Sequence, residues 1–465
     1  MSSGTIPFKN LARKNLADVQ LRGNLLRATQ HSLAARASAV SEVPEWELLR
    51  TAAHAIKKEA VDHLATYLEQ FEAQVQASGG HVFWAQTGRQ AAEHVVAICG
   101  HHQATLAIKA KSMTSEEIGL NQALLEAGIE PVETDLGEYI IQLAGETPSH
   151  ITAPALHKSR AQIGKLFQEK LGCSYTDDPQ KLTQIARSRL REKFLQASVG
   201  ISGVNFAVAE TGSIVLITNE GNGRMCTTLP RVHIALMGIE KIIPTFDDLQ
   251  IFLRLLARSS TGQRLTSYVS IISGPRKTAD FDGPEELHVI ILDNERTSIL
   301  AHPHMRESLF CIRCGACLNT CPVYQRVGGH AYGWVYPGPI GAVLTPEMQG
   351  LTRGRELPYA SSLCGSCSAV CPVKINIHHM LLWLRKSVVD SRRSPWTERL
   401  IIRIFAAVMK RPRLYRSSAR LARLLEKLFA KRGKGLPVPG WSLHRDFPPL
   451  AKQSFHDLWK QGGLS

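Results

Sequence analysis

No stretch of about 18 uninterrupted apolar residues occurs in the 465-residue chain, so no membrane-spanning helix is expected. The N-terminal MSSGTIPFKNLARKN lacks the apolar core of a signal peptide, which makes the cytoplasm the expected compartment. Aromatic residues are sparse at 6%, but hydrophobic residues reach 44% and charged residues 20%. Those proportions exclude a disordered chain, a collagen and a small disulfide scaffold. At roughly 150 residues per domain, the length suggests about three domains. Common catalytic signatures are missing too. There is no G-x-G-x-x-G after a strand, no P-loop and no G-x-S-x-G elbow, so neither a dinucleotide fingerprint nor a serine-hydrolase site is expected.

Charge is unevenly spread. The chain carries 55 Lys/Arg and 40 Asp/Glu, a net +15. Sixteen of the basic and only three of the acidic residues fall between Leu381 and Lys434, leaving the rest nearly neutral. A nucleic-acid-binding reading of the whole chain loses its main support, and no nucleic-acid partner is expected.

Residues 1 to about 75 read as helical, with Trp46, Leu49, Ala53, Ile56 and Ala60 at helical spacing; they are expected to cover a neighbouring domain. From about 80 to 300, apolar runs alternate with helical stretches. HVFWA (81–85), ATLAIK (104–109), IEPVET (129–134), VNFAVAE (204–210), SIVLIT (213–218), VHIALMG (232–238), YVSIIS (268–273) and LHVIIL (287–292) read as strands. Thr114–Glu117 opens a helix that Gly128 closes. The pattern predicts an α/β domain with a largely parallel sheet. Gly328 to Gly350 holds six Gly and three Pro and reads as loop. From 381 to about 432 the chain reads as basic helix, followed by an extended tail through LPVPGW (436–441) and FPPL (447–450). The expected domains are 1–75, 76–300, 301–385 and 386–465.

Seven of the ten cysteines lie between Cys311 and Cys371. The first group is Cys311-x2-Cys314-x2-Cys317-x3-Cys321-Pro322, the bacterial ferredoxin spacing for a 4Fe–4S cluster. Three thiolates two residues apart on a tight loop reach three irons of one cubane, and Gly315 and Ala316 keep that loop small. The fourth cysteine points away, toward a second cluster. The second group is Cys364-x2-Cys367-x3-Cys371-Pro372. Aligned on the Cys-Pro pairs it matches the first at an offset of 50, with Ser361 where Cys311 would be. Crossover then assigns Cys311, Cys314, Cys317 and Cys371 to cluster 1, and Cys321, Cys364 and Cys367 to cluster 2. Two 4Fe–4S clusters are expected. The second has only three motif cysteines, so Ser361, a nearby His (302, 304, 330, 378 or 379), water or a partner supplies its fourth ligand, or it is a 3Fe–4S cluster. Adjacent clusters of this kind move single electrons.

In the α/β region, two glycine-containing turns flank one strand, in AETGSIVLITNEGNG (209–223). Loops at strand ends of such sheets bind ligands. Glu210 and Glu220 are the carboxylates best placed for chemistry there. They support an alternative function, an acyl-transfer or isomerase enzyme with structural clusters.

KSMTSEEI (111–118), VETDLGEYIIQLAGE (132–146), APALHK (153–158), AETGSIVLITNEGNGR (209–224), GPRKTADFDGPEELHVIILDN (274–294) and both cysteine groups together resemble the lactate utilization protein B family. The resemblance implies a lactate-utilization domain with a fold like that of ribose-5-phosphate isomerases and CoA transferases. It also implies a ferredoxin-like two-cluster domain and helical termini. It implies that the chain is the iron–sulfur subunit of a bacterial system oxidising L-lactate to pyruvate. Two partners are implied, a cysteine-rich protein and a second lactate-utilization-domain protein. A second motif with three cysteines is usual for that family. Finally, Leu400, Ile401, Ile404, Phe405 and Val408, and then Leu421, Leu424, Leu425, Leu428 and Phe429, form apolar stripes among basic residues. Such helices either pack on the rest of the chain or dock on a partner groove or on the inner face of the membrane.

Overall fold

Three of the apolar runs form strands over the residues read from the sequence: β1 (His81–Ala85), β6 (Ser213–Thr218) and β7 (Val232–Gly238). The others differ by a residue or two at their ends. In this computed structural model, which describes residues 5–278, 283–429, 435, 442, 445 and 447–462, they are β2 (Leu106–Lys109), β3 (Glu130–Glu133), β5 (Phe206–Val208), β9 (Tyr268–Ile272) and β10 (Glu286–Leu292). Two more strands join them, β4 (Val199–Gly203) and β8 (Ile242–Ile243). A six-stranded, wholly parallel sheet runs β1-β10-β7-β4-β2-β3. A four-stranded mixed sheet runs β8-β5-β6-β9.

The parallel sheet is covered on both faces, as its continuous apolar runs require. Every residue of β7 is buried. Val232, Ile234 and Leu236 face one core, with Val95 and Leu124; Ala235 and Met237 face the other, with Leu68, Phe71 and Val75. The expected helix after Thr114 is two short ones, Met113–Glu117 and Leu120–Glu126, parted at Gly119, whose φ of +65° suits glycine. Ser112 and Asp135 cap the helices that follow β2 and β3, each side chain accepting a backbone N–H.

The N-terminal region is helical as expected: Phe8–Ala17, Val19–Ser41, Trp46–Asp62 and Leu64–Ala77. It covers two neighbours. Phe8, Leu25, Val43 and Trp46 share a core with the cysteine region, while the last helix packs on the parallel sheet.

The glycine- and proline-rich stretch 328–350 departs from expectation. It contains an α-helix, Gly338–Gln349, with ten of its twelve residues buried, Pro346 included. Pro339 occupies the first turn, where no N–H is needed. The Gly341 Cα lies against the Tyr336 carbonyl, where any Cβ would sit 1.7 Å from that oxygen. Small residues here serve close packing under the cysteine loops rather than a loop.

The chain divides into two units, Met1–Ser387 and Val388–Ser465. In the second, helices Trp396–Met409 and Pro412–Phe429 carry the expected stripes. Their apolar residues are exposed: Ile401, Ile404, Phe405, Leu421, Leu424 and Leu428 each leave more than half their surface in solvent, and no residue of Trp396–Met409 is buried. Residues 447–450 form neither helix nor strand, and a short helix, Phe455–Lys460, follows; the end of the expected basic helix at 430–432 and the expected tail at 436–441 lie outside the described residues. Among the described residues, no helix is long and apolar enough to cross a membrane.

Candidate iron–sulfur centres and the adjoining pocket

The offset of 50 between the cysteine groups is a repeat of the backbone as well as of the sequence. Arg313 (φ +60°) and Gly315 (φ +76°) flank Cys314; Leu363 (φ +56°) and Gly365 (φ +77°) flank Cys364 in the same way. Each loop then enters a five-residue helix, Ala316–Thr320 or Ser366–Val370. Thr320 Oγ1 and Ser366 Oγ lie 2.5 Å apart and tie the two helices together. Arg313 and Leu363 are non-glycine residues in the left-handed region, a strain that folds tolerate mainly at functional sites.

All seven cysteines are free thiols in the chain; five are buried, Cys311 is half-buried and Cys364 is exposed. They crowd one another across both groups, Cys367 of the second raising Cys317 of the first. Burial, with Cys371 and Cys311 next, raises the Cys314 thiol; burial and then Cys311, Cys314, Cys367 and Cys371 raise Cys317. Cys371 is pushed to about 12 by burial, with Cys311 adding. The Cys321 thiol is raised by burial and by Cys364, and Cys367 is pushed to about 11 by burial, Cys321 and Cys364. Crowded buried thiols of this kind ionise together only when a cation offsets their charge, which is what a metal cluster does.

The sulfurs are also arranged as acceptors. Backbone N–H groups donate to Cys314 (from Ala316), Cys321 (Val323, Tyr324), Cys364 (Ser366) and Cys371 (Val373, Ile375), the last at 3.4 Å from Ile375. A thiolate ligand accepts such bonds, so the residues present fit two iron–sulfur groups. Ser361, matching Cys311, accepts the Leu363 N–H through its hydroxyl at 3.1 Å. The nearby histidines are engaged elsewhere. His302 and His304 pack on Trp383, His330 contacts the Thr147 carbonyl, His378 bonds Ser368, and His379 stacks on His378.

A buried charge network, not visible in the sequence, surrounds the first set. Arg296 makes a two-pronged ion pair with Glu117 at 2.9 Å and a second with Glu240. Arg313 reaches Glu240 at 3.2 Å and lies 4.7 Å from the Tyr336 ring centre. Lys57 donates to the carbonyls of Glu240 and Ile242, and burial lowers its ammonium to about 7. Arg50 donates to the Cys371 and Ala369 carbonyls at 2.8 Å. Even with Arg50 paired to Glu47 and Lys57 lowered by burial, Arg50, Lys241, Arg296 and Arg313 outnumber Glu47, Glu117 and Glu240. The surplus is positive, beside thiolates that carry negative charge. Positive charge around a cluster favours its reduced form.

Of the two candidate carboxylates, Glu210 accepts the Phe246 N–H at 2.8 Å, at the start of helix Phe246–Ser260. That use is structural. Glu220 borders a cavity whose walls include Lys111, Asn222, Lys241, Arg313 and Cys314. Its carboxyl is raised by desolvation and by Asp135. Arg313 carried a signal that sequence reading could have used: a charged residue inside an otherwise small-residue cysteine loop. Lys241 and the partners of Glu117 carried none, because they converge from distant segments.

Comparison with known proteins bears on the domains that carry these residues. Family models match residues 68–292 (LUD domain), 307–375 (4Fe-4S dicluster domain) and 386–463 (lactate utilisation protein B, C-terminal). The chain is 46% identical to the lactate utilization protein B of Shouchella clausii (strain KSM-K16), over 98% of this chain and 96% of that protein. It is 44% identical to that of Geobacillus kaustophilus (strain HTA426), over 98% and 96%. A crystal structure of a DUF162 family protein from Deinococcus radiodurans covers 49% of this chain and 98% of its own at 16% identity, with a TM-score of 0.28, too loose to carry an argument. A mixed α/β domain with a parallel sheet, a 4Fe–4S dicluster domain and helical ends, at this identity over nearly the whole length, place the chain in the lactate utilization protein B family, with an iron–sulfur role in lactate utilization.

Proposed function

We propose that the chain is the electron-transfer subunit of a system that oxidises L-lactate to pyruvate. The observation that supports this reading is a backbone loop repeated at an offset of 50 residues that carries seven free thiols. Cys311, Cys314, Cys317 and Cys371 would hold one 4Fe–4S cluster, and Cys321, Cys364 and Cys367 the other, with Ser361, water or a partner group as its fourth ligand. When bound, the two clusters supply two one-electron carriers, matching the two electrons released with two protons when a hydroxyl carbon becomes a carbonyl.

The two sets differ in their surroundings. The first set is buried and surrounded by Arg50, Lys57, Lys241 and Arg313; the second reaches the surface at exposed Cys364. The exposed Cys364 makes the second set the one that a docking partner can exchange electrons with, and the positive surplus favours electrons residing on the first. Two further subunits complete the system, a cysteine-rich protein and a second lactate-utilization-domain protein, and the basic second unit offers contact with a partner or with the inner face of the membrane. Lactate-dependent dye reduction tests the reading, first with the chain alone and then with both partners. Dye reduction that needs the cluster cysteines supports it; full activity after Cys364→Ser and Cys367→Ser contradicts it.

A further inference from the structure

The cavity beside Cys314 has features that electron transfer alone does not require. It holds about 300 Å³, at the low end for small-molecule sites. Three of the segments behind the family resemblance converge on it, contributing Lys111, Asp135, and Thr218 with Asn222, and the first cysteine loop closes it with Arg313 and Cys314.

Its polar atoms are incompletely matched. Nη1 of Arg313 is buried with no hydrogen-bond partner, although the guanidinium is otherwise engaged by Glu240, the Tyr336 ring and the Cys311 sulfur. Oδ1 of Asn222 is buried and unpartnered, while its amide nitrogen donates to Thr134. Lys241 is 8% exposed, and its ammonium meets no acceptor among the described residues. Lys111, by contrast, is engaged by the Thr152 carbonyl and Asp135. Buried polar groups are nearly always paired, so two cationic donors and one amide acceptor left open around one cavity mark a ligand site.

We propose that this cavity binds a small 2-hydroxy carboxylate at the edge of the first cysteine set. The carboxylate is met by Arg313 Nη1 and Lys241 Nζ, as charge-assisted bonds favour. The neighbouring hydroxyl donates to Asn222 Oδ1. Glu220 lines the same wall, where its carboxylate accepts the Leu136 N–H. The chemistry selects against two relatives. A 2-keto acid leaves Asn222 Oδ1 unpaired, and a simple anion such as phosphate or acetate fills only the cationic end. Which 2-hydroxy acid binds rests on the functional reading above, which makes it L-lactate; the existence of the site does not.

The test is isothermal titration of the anaerobically cluster-loaded full chain with L-lactate, pyruvate, acetate and inorganic phosphate, with the electron paramagnetic resonance spectrum of the clusters recorded with and without L-lactate. L-Lactate is expected to bind several-fold more tightly than pyruvate and to shift the signal of the first cluster. Lys241→Gln should weaken binding at least about tenfold, the loss of one charge-assisted bond. Asn222→Ala should bring lactate and pyruvate to similar affinity at unchanged iron content, and it carries the test if Lys241→Gln does not fold. No binding of L-lactate by a chain that loads iron and exchanges electrons with a dye overturns this proposal and leaves the electron-transfer reading intact. Lactate binding by a chain that takes up no iron does the reverse. Equal affinity for phosphate and L-lactate would reduce the site to a general anion hole and overturn the hydroxy-acid assignment.

Discussion

Replacing Glu240 by Gln tests the buried network that joins the α/β domain to the cysteine loop. Burial disfavours the Glu240 charge, but Arg296, Arg313 and Lys241 outweigh it and hold the carboxyl at about 2, against an ordinary 4.5. At 1.36 kcal/mol per pH unit, that gap is worth about 3 kcal/mol. Removing one member of a buried pair costs a comparable 3–5 kcal/mol or so, because the remaining charge is left uncompensated. Here Arg296 keeps Glu117, but Arg313 loses its ion pair, and Lys57 and Lys241 lose the nearby negative charge that favours their charged forms. Because the folded pKa lies below the unfolded one, the stabilisation is present above pH 4.5 and is lost as pH falls through about 2. Guanidinium unfolding of parent and Glu240→Gln, at matched iron content, should therefore differ by about 3 kcal/mol at pH 7. The difference should hold steady down to about pH 5 and shrink below pH 4.5. A variant within about 0.5 kcal/mol of the parent at pH 7, the range of an ordinary surface change, would refute the view that this charge holds the loop.

Other outcomes follow from particular contacts. Ser361→Cys restores the residue that matches Cys311, so the second cluster should keep its fourth iron under mild oxidation that yields a three-iron resonance signal in the parent; identical loss in both would show that position 361 does not face that site. Gly341→Ala forces a methyl against the Tyr336 carbonyl and should abolish soluble, cluster-loaded protein, whereas normal yield and iron content would mean the helix Gly338–Gln349 can shift away. Deleting residues 396–465 should leave iron content unchanged and cut salt-sensitive recovery with anionic vesicles or the partner subunits; a truncated protein that loses iron and aggregates would show that the exposed stripes are core packing.

What could be read from the sequence follows the range of the interactions involved. The cysteine loops were legible because ligands to one cluster are spaced two residues apart, and the strands because runs such as VHIALMG are buried on both faces. β4 was missed because VGISG is short and more than half small or polar. Gly200 there lies against the Cys226 carbonyl, where a Cβ would come within 1.9 Å, so close approach rather than β-propensity chose the residue. The helix Gly338–Gln349 was read as loop because glycine and proline dominate local rules, whereas burial decides its conformation. The cavity was partly legible through Glu220. Its cations come from Lys111, Lys241 and Arg313, residues that only the folded chain brings together. Glu210 looked equivalent to Glu220 and is instead a helix-terminal acceptor.

The central claim is that seven cysteines hold two clusters with crossed ligands, and the most direct measurement is iron content with Mössbauer and electron paramagnetic resonance spectra of Cys371→Ser and Cys321→Ser beside the parent. The account predicts about eight irons in the parent, or about seven if the second cluster is 3Fe–4S. It predicts that Cys371→Ser damages the cluster of Cys311, Cys314 and Cys317, and that Cys321→Ser damages the one at Cys364 and Cys367. About four irons in the parent, zinc in their place, or the opposite pairing of losses would contradict it.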